Sequence, residues 1–299
     1  MKKFIVHISV FSLLVTVTIL AVFSRADGHS DQFYLKLTGT QKSNLILGTS
    51  KAAQGIQPEI LKKHLEVEPF NYAFAIYASK YGDVYLNSIK SKLDTTKSDQ
   101  VFIVTVDPWS ISSTSKNPND IDTFRENKSF LNSVKEPSNS ANYNYLINHF
   151  EGNYYNILSK SSPAFLHDDG WLEVNIDNDS TSVANRTLFT INDYKKNLKK
   201  YNYSSARLSY LMKTIEFLST YGNVYLVRLP IHPELMDIEN TYMPDFDSKI
   251  SEAISSSKGY LDLTNDNSGY HYIDGAHLHK ESGAKISLRI ANWIKELPN

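Results

Sequence analysis

Residues 44–61 read NLILGTSKAAQGIQPEIL, and the fold follows from how this stretch is parsed. Leu45-Ile46-Leu47 is a short apolar run of the length and type found in buried parallel strands. Gly48-Thr49-Ser50 breaks it, small residues follow (Ala52, Ala53, Gly55), and Pro58 with Glu59 marks the first turn of a helix. A strand that ends in Gly-Thr-Ser before a helix brings the Ser50 hydroxyl to the carboxyl edge of a parallel sheet. Open α/β sheets bind their ligands at that edge. Taken alone, the serine reads equally as a helix cap.

The other end of the chain supplies a partner. Residues 272–279 read YIDGAHLH and lead into a helical segment over 285–297. Asp274 and His277 are three residues apart, so one tight turn can aim both side chains the same way. In an acyl-transfer triad the imidazole takes the serine proton and a carboxylate orients the imidazole. A Gly-x-Ser after the first strand combined with an Asp-x-x-His before the last helix resembles the first and last blocks of the SGNH (GDSL-type) hydrolase superfamily. The likeness is to its membrane-anchored branch acting on cell-envelope polysaccharides, and it spans residues 44–293.

The strands agree with that parse. Residues 69–74, 101–106 (VFIVTV), 223–229 (NVYLVRL) and 259–263 read as four more strands. They alternate with helices near 62–68, 81–89, 205–220 and 248–256, where apolar residues recur at helical spacing. Five strands alternating with helices predict an α/β domain over 44–299, a three-layer α/β/α sandwich around a five-stranded parallel sheet. The resemblance implies its flavodoxin-like form. Residues 110–201, rich in Asn, Ser and Asp, exceed a normal connection and read as an insertion after strand three that partly covers the site. Within it Trp171, Tyr154 and Tyr155 either stack on a sugar ring or pack the insertion onto the domain.

Composition narrows the function. The 299 residues carry 31 Lys and Arg against 32 Asp and Glu, a net charge of −1, so no basic excess favours nucleic acid. With no cysteine there is no disulfide framework and no thiolate zinc site. His232, His271 and His279 read as turn or surface residues, and neither a metal nor a cofactor is expected. Lys2 and Lys3 precede residues 4–23, in which His7 is the lone ionisable side chain. Such a run spans about 30 Å as a helix. Residues 1–27 therefore read as an anchor with its basic end in the cytoplasm and the domain outside, in the periplasm or at the cell surface. Cleavage after Ser24-Arg25-Ala26 is the competing reading, and it would release the domain as a secreted protein. Residues 28–43 are polar and aperiodic and read as a tether.

The resemblance implies three oxyanion donors: the nucleophile's own N–H, a glycine N–H after strand two and an asparagine side chain after strand three. This chain departs at two of them. Residues 71–75 (NYAFA) contain no glycine, and Asp107 stands where the asparagine would fall. Thr49 also replaces the family's aspartate. An ionised aspartate repels an oxyanion, so the reading calls on Ser79, a backbone amide or the Arg228 guanidinium as donor. Arg228 is expected beside Asp107, either holding it or holding an anionic substrate, and Asp107→Asn is then expected to leave turnover steady or raise it. The resulting expectation is an exported serine esterase or O-acyltransferase acting on acyl esters of carbohydrate. An SGNH-fold binding or assembly module without catalysis is the alternative. Geometry separates them: the enzyme needs Ser50 Oγ within about 3.5 Å of His277, and His277 in reach of Asp274.

Overall fold

In the computed structural model, which describes residues 1–139 and 142–298, β1 (Leu45–Leu47) is fully buried and pairs in parallel with a strand on either side. Its neighbours are β2 (Phe70–Asn71) and β3 (Gln100–Thr105), followed outward by β4 (Gly222–Arg228) and β5 (Gly259–Asp262). The sheet is five-stranded and all-parallel, in the order β2-β1-β3-β4-β5. The chain leaves β1 for β2 on one side and returns to β3 on the other. The crevice between the ends of β1 and β3 is thus the topological switch point, where such sheets bind ligands.

Period-two alternation builds the two outer layers. Leu45, Leu47, Phe102, Val104, Val224 and Leu226 face one core, packed beneath α4 (Asp83–Lys92) and α6 (Ser205–Ser219). Ile46, Ile103, Tyr225 and Val227 face the other, beneath α2 (Ser50–Gly55), α3 (Pro58–Leu65) and α8 (Lys280–Glu296). The domain is the expected three-layer α/β/α sandwich.

Five details differ from the sequence reading. Residues 28–43 are not a loose tether: Phe33, Tyr34 and Leu37 are buried in the first core around a single 3-10 turn, Tyr34–Leu37. Asp31 fixes that turn by accepting from the Phe33 and Tyr34 N–H groups and from the Tyr145 hydroxyl. One turn is too short to carry a helical period. The insertion contains an 18-residue helix, α5 (Ser180–Asn197), capped by Asp179, whose only buried members are Thr187 and Ile191. With so narrow an apolar face its periodicity is weak. Helix α7 (Pro233–Tyr242) follows β4, and the helix expected at 248–256 is two short pieces, Phe246–Lys249 and Ser251–Ser255. The last helix begins at Lys280, five residues earlier than its pattern suggested.

At the N-terminus α1 (Lys2–Phe23) buries none of its residues and is long and apolar enough to cross a membrane or to act as a signal sequence. Its last ring, Phe23, stacks on Tyr154 with centroids 5.5 Å apart.

Gly48 fixes how β1 ends. Its φ is +144°, and a Cβ there would lie 1.8 Å from the Thr105 hydroxyl oxygen. Thr105 itself donates to the Leu47 carbonyl, which ties β3 to the end of β1. Gly48→Ala is expected to destabilise the fold by about 1–3 kcal/mol from the backbone conformation alone. Denaturant unfolding of the variant measures it, and an unchanged midpoint would refute the constraint.

Candidate active site

Ser50 is the first residue of α2, placed by the extended conformation of Thr49 immediately before it. Its Oγ lies 2.8 Å from His277 Nε2, across 227 residues of chain. On the far side of the ring, His277 Nδ1 is 2.8 Å from Asp274 Oδ2. The loop that presents both residues is closed by Asp274 itself. Its Oδ1 accepts from the N–H groups of Ala276 (3.0 Å) and His277 (2.9 Å). Gly275, at φ +86°, makes the reversal, and Ile273 N–H donates to the His277 carbonyl at 2.8 Å. One carboxylate oxygen therefore shapes the turn and the other holds the imidazole. With Nδ1 facing a carboxylate, that nitrogen carries the proton, which leaves Nε2 as the acceptor for the Ser50 hydroxyl. Burial pushes the Asp274 carboxyl up, but the hydrogen bond and charge of His277 outweigh it and hold its pKa below the usual aspartate value. All three side chains remain partly open to solvent. Asn71, at the end of β2, fastens α2 from below by donating to the Ala52 and Ile56 carbonyls, both at 2.9 Å.

No protein-family model and no curated protein matches this chain.

The other expected site residues sit differently. Arg228 does not pair with Asp107. The partner is Lys51, the residue after the serine, whose Nζ is 2.9 Å from Asp107 Oδ2 and 2.9 Å from Glu239 Oε1. Glu239, on α7, also accepts from the Trp109 indole at 2.6 Å and faces the Arg228 guanidinium at 3.6 Å. Arg228 lies over the Phe246 ring, with Asp247 and Asp262 each 3.9 Å away, and is buried rather than open to a substrate. Alternation along β4 explains the swap. Val227 faces the core under α2, so Arg228 points to the opposite side of the sheet, towards Phe246. Ser79 is also buried, and its hydroxyl donates to the Ala75 carbonyl at 3.2 Å, so it is not a free donor. Asp107 is buried, which raises its carboxyl pKa, but the adjacent Lys51 ammonium more than reverses this and keeps it ionised. The same two carboxylates push the Lys51 pKa above its ordinary value against the effect of burial.

Two backbone donors remain for an oxyanion. Among the described residues, neither the Ser50 N–H nor the Ala75 N–H has a protein acceptor. Ala75 directly follows Phe74, whose own N–H donates to the Gly48 carbonyl at 3.3 Å, so this alanine sits beside the exit of β1.

The insertion covers one side of the triad loop. Arg186 of α5 donates to the Ile273 carbonyl at 3.0 Å, and Ile191 packs in a cluster with Trp109, Leu235 and Ala276, the neighbour of His277. Tyr194 meets Trp109 edge-on at 5.1 Å. Its hydroxyl has no protein partner among the described residues and lies within electrostatic range of Lys51, Glu239, Asp107 and Asp274. A cleft of about 570 Å3 opens between α5 and the triad loop, lined by Thr187, Leu188, Ile191, His232, His271 and Tyr272. Trp171 takes the packing role: it stacks on His167 and donates to the Gln54 carbonyl at 2.9 Å, pinning the 164–174 hairpin to the end of α2. Tyr154 stacks on Phe150 at 4.9 Å, and Tyr155 is exposed. Sequence reasoning missed Lys51, Glu239 and Tyr194. The available signal was Lys51 itself, a cation directly after a serine at a buried strand end, which must find a carboxylate.

Proposed function

We propose that this chain is an SGNH-type serine esterase or O-acyltransferase acting on acyl esters, acetyl above all, of envelope carbohydrate. The observation that carries the reading is the relay Ser50–His277–Asp274, with both hydrogen bonds at 2.8 Å, at the switch point of a parallel sheet. In the proposed reaction Ser50 Oγ attacks the ester carbonyl as its proton passes to His277 Nε2. Asp274 stabilises the imidazolium through Nδ1–H. The negative charge on the tetrahedral oxygen meets the Ser50 and Ala75 N–H groups, each donor contributing about 3–4 kcal/mol. The neutralised Asp107–Lys51 pair removes the repulsion that an isolated aspartate would exert. Collapse breaks the ester C–O bond, His277 returns the proton to the leaving alcohol, and an acyl-Ser50 intermediate remains. Water or a sugar hydroxyl, deprotonated by His277, then takes the acyl group.

Labelling with a fluorophosphonate probe, followed by mapping of the modified peptide, tests the reading. Modification at Ser50 supports it. An unlabelled protein would favour the second reading, a carbohydrate-binding or assembly module of the same fold, which the loss of the asparagine donor at position 107 supports.

The proposed location is outside the cytoplasm, with α1 as the anchor and Lys2 and Lys3 inside. The full-length protein is expected to pellet with membranes and resist carbonate extraction, while a chain starting at Asp27 stays in the supernatant. Recovery of a mature protein beginning at Asp27 from cells would instead make α1 a cleaved signal.

A further inference from the structure

A second cavity, of about 280 Å3, is lined by Ile76, Tyr77, Lys80, Lys116, Arg125 and Tyr201. Its charge is one-sided. Glu126, at its floor, is consumed by Arg207, which it grips at 2.8 and 3.0 Å. Among the described residues Lys80, Lys116 and Arg125 form no salt bridge. Lys116 and Arg125 are exposed and keep their hydration, but Lys80 is only 7% exposed. Its ammonium has three donors and one protein acceptor, the Ser112 carbonyl at 2.9 Å. Below it lies the Tyr201 ring, 4.3 Å from Nζ. Burial, reinforced by Arg207 and Arg125 against the pull of Glu126 and Asp107, lowers the Lys80 pKa to about 7. A buried ammonium without a counter-ion is unfavourable. Its position on a cavity wall between two further cations is what an arriving anion would satisfy.

Shared packing links the cavity to the candidate active site. Ile76 is the residue after Ala75, and Ile76 and Tyr201 belong to the apolar cluster that contains Trp109 and Ala276. Tyr201 meets Trp109 at 5.2 Å, and the Tyr77 ring carries Arg125 at 5.2 Å. The walls thus pair aromatic surface with unneutralised cations, which suits a sugar bearing an acidic substituent.

We propose that this cavity is a subsite for an anionic oxygen group, a carboxylate or a phosphate, carried by a saccharide substrate of the Ser50 site. Only the link to Ser50 rests on the esterase reading. Binding is therefore measured in full-length Ser50→Ala protein, which cannot turn over, by calorimetric titration of glucuronate, glucose 6-phosphate, inorganic phosphate and glucose. Saturable binding of glucuronate, or of the two phosphate ligands, with none of glucose, supports the subsite and identifies the group. Lys80→Met is expected to weaken that binding by about tenfold or more. Because Lys80 is buried, the exposed pair Arg125→Gln and Lys116→Gln, combined in one variant, provides a second measurement in a protein that keeps its core. Anion binding equal in this variant and its parent would overturn the proposal, as would binding of glucose equal to that of glucuronate. Ester hydrolysis by the wild type with no anion binding in Ser50→Ala would overturn the subsite alone.

Discussion

Ser50→Ala is expected to abolish hydrolysis of a short-chain aryl ester and labelling by a fluorophosphonate, while unfolding at the same denaturant concentration as the wild type. The hydroxyl makes one hydrogen bond, to a partly exposed imidazole, so its removal costs the fold little. The kinetic loss should be on the order of 10^6-fold, because nucleophile and base act as one unit, and His277→Ala should do nearly equal damage. Asp274→Asn should cost about 10^4-fold. There the loop survives, since an amide oxygen can still accept from the Ala276 and His277 N–H groups. An amide NH2 facing Nδ1, however, favours the opposite tautomer and points a proton at the serine. Asp274→Ala, by contrast, removes both oxygens and should also lower stability. Equal activity in wild type and Ser50→Ala would remove this serine from the chemistry.

The parts of this site legible in the sequence were those written in consecutive residues. Leu45-Ile46-Leu47 ending in Gly-Thr-Ser declares a buried strand and its exit. Asp274 and His277 belong to one turn, so their joint direction follows from spacing. What joins them to Ser50 is the closure of the sheet, legible only as the pairing of two blocks. Neighbouring strands were also legible: Thr105 of β3 stands opposite Val227 of β4, so Asp107 and Arg228 do end near one another. Proximity of strand ends does not fix side-chain direction, and one step along β4 carries Arg228 to the other face of the sheet. Lys51 replaced Arg228 as the partner of Asp107, and its second contact, with Glu239, spans 188 residues and depends on α7, which the pattern of residues 233–242 did not announce. Residues 28–43 failed for a related reason. Phe33, Tyr34 and Leu37 become core only because the first layer has a gap that a single turn fills.

The buried network carries the second large prediction and gives Asp107 a partner that the sequence did not show. Asp107→Asn was expected to hold or raise turnover by supplying an amide where the family has one. With Lys51 as its partner, Asp107 instead balances a cation one residue from the nucleophile. Lys51→Met should destabilise the protein by about 3–5 kcal/mol, because it strands buried Asp107 and leaves Glu239 only the Trp109 indole and the more distant Arg228. Asp107→Asn should cost less, since Lys51 keeps Glu239 at 2.9 Å. Their double-mutant cycle should show strong coupling. The pH dependence has a definite sign. The Asp107 carboxyl has a folded pKa below its ordinary 3.8, so its share of stability is complete above that value and lost as pH falls below it. Lys51 is shifted the opposite way, above 10.5, so its share is complete below that value and lost only as pH rises past it. Stability of the wild type should therefore fall more steeply below about pH 4 than that of Asp107→Asn, which has already lost the ion pair. Denaturant midpoints taken across pH for the wild type, both single variants and the double variant measure each term. Midpoints for Lys51→Met equal to wild type at neutral pH would mean that the network does not hold α2, and that Ser50 is positioned by Gly48, Thr105 and Asn71 alone.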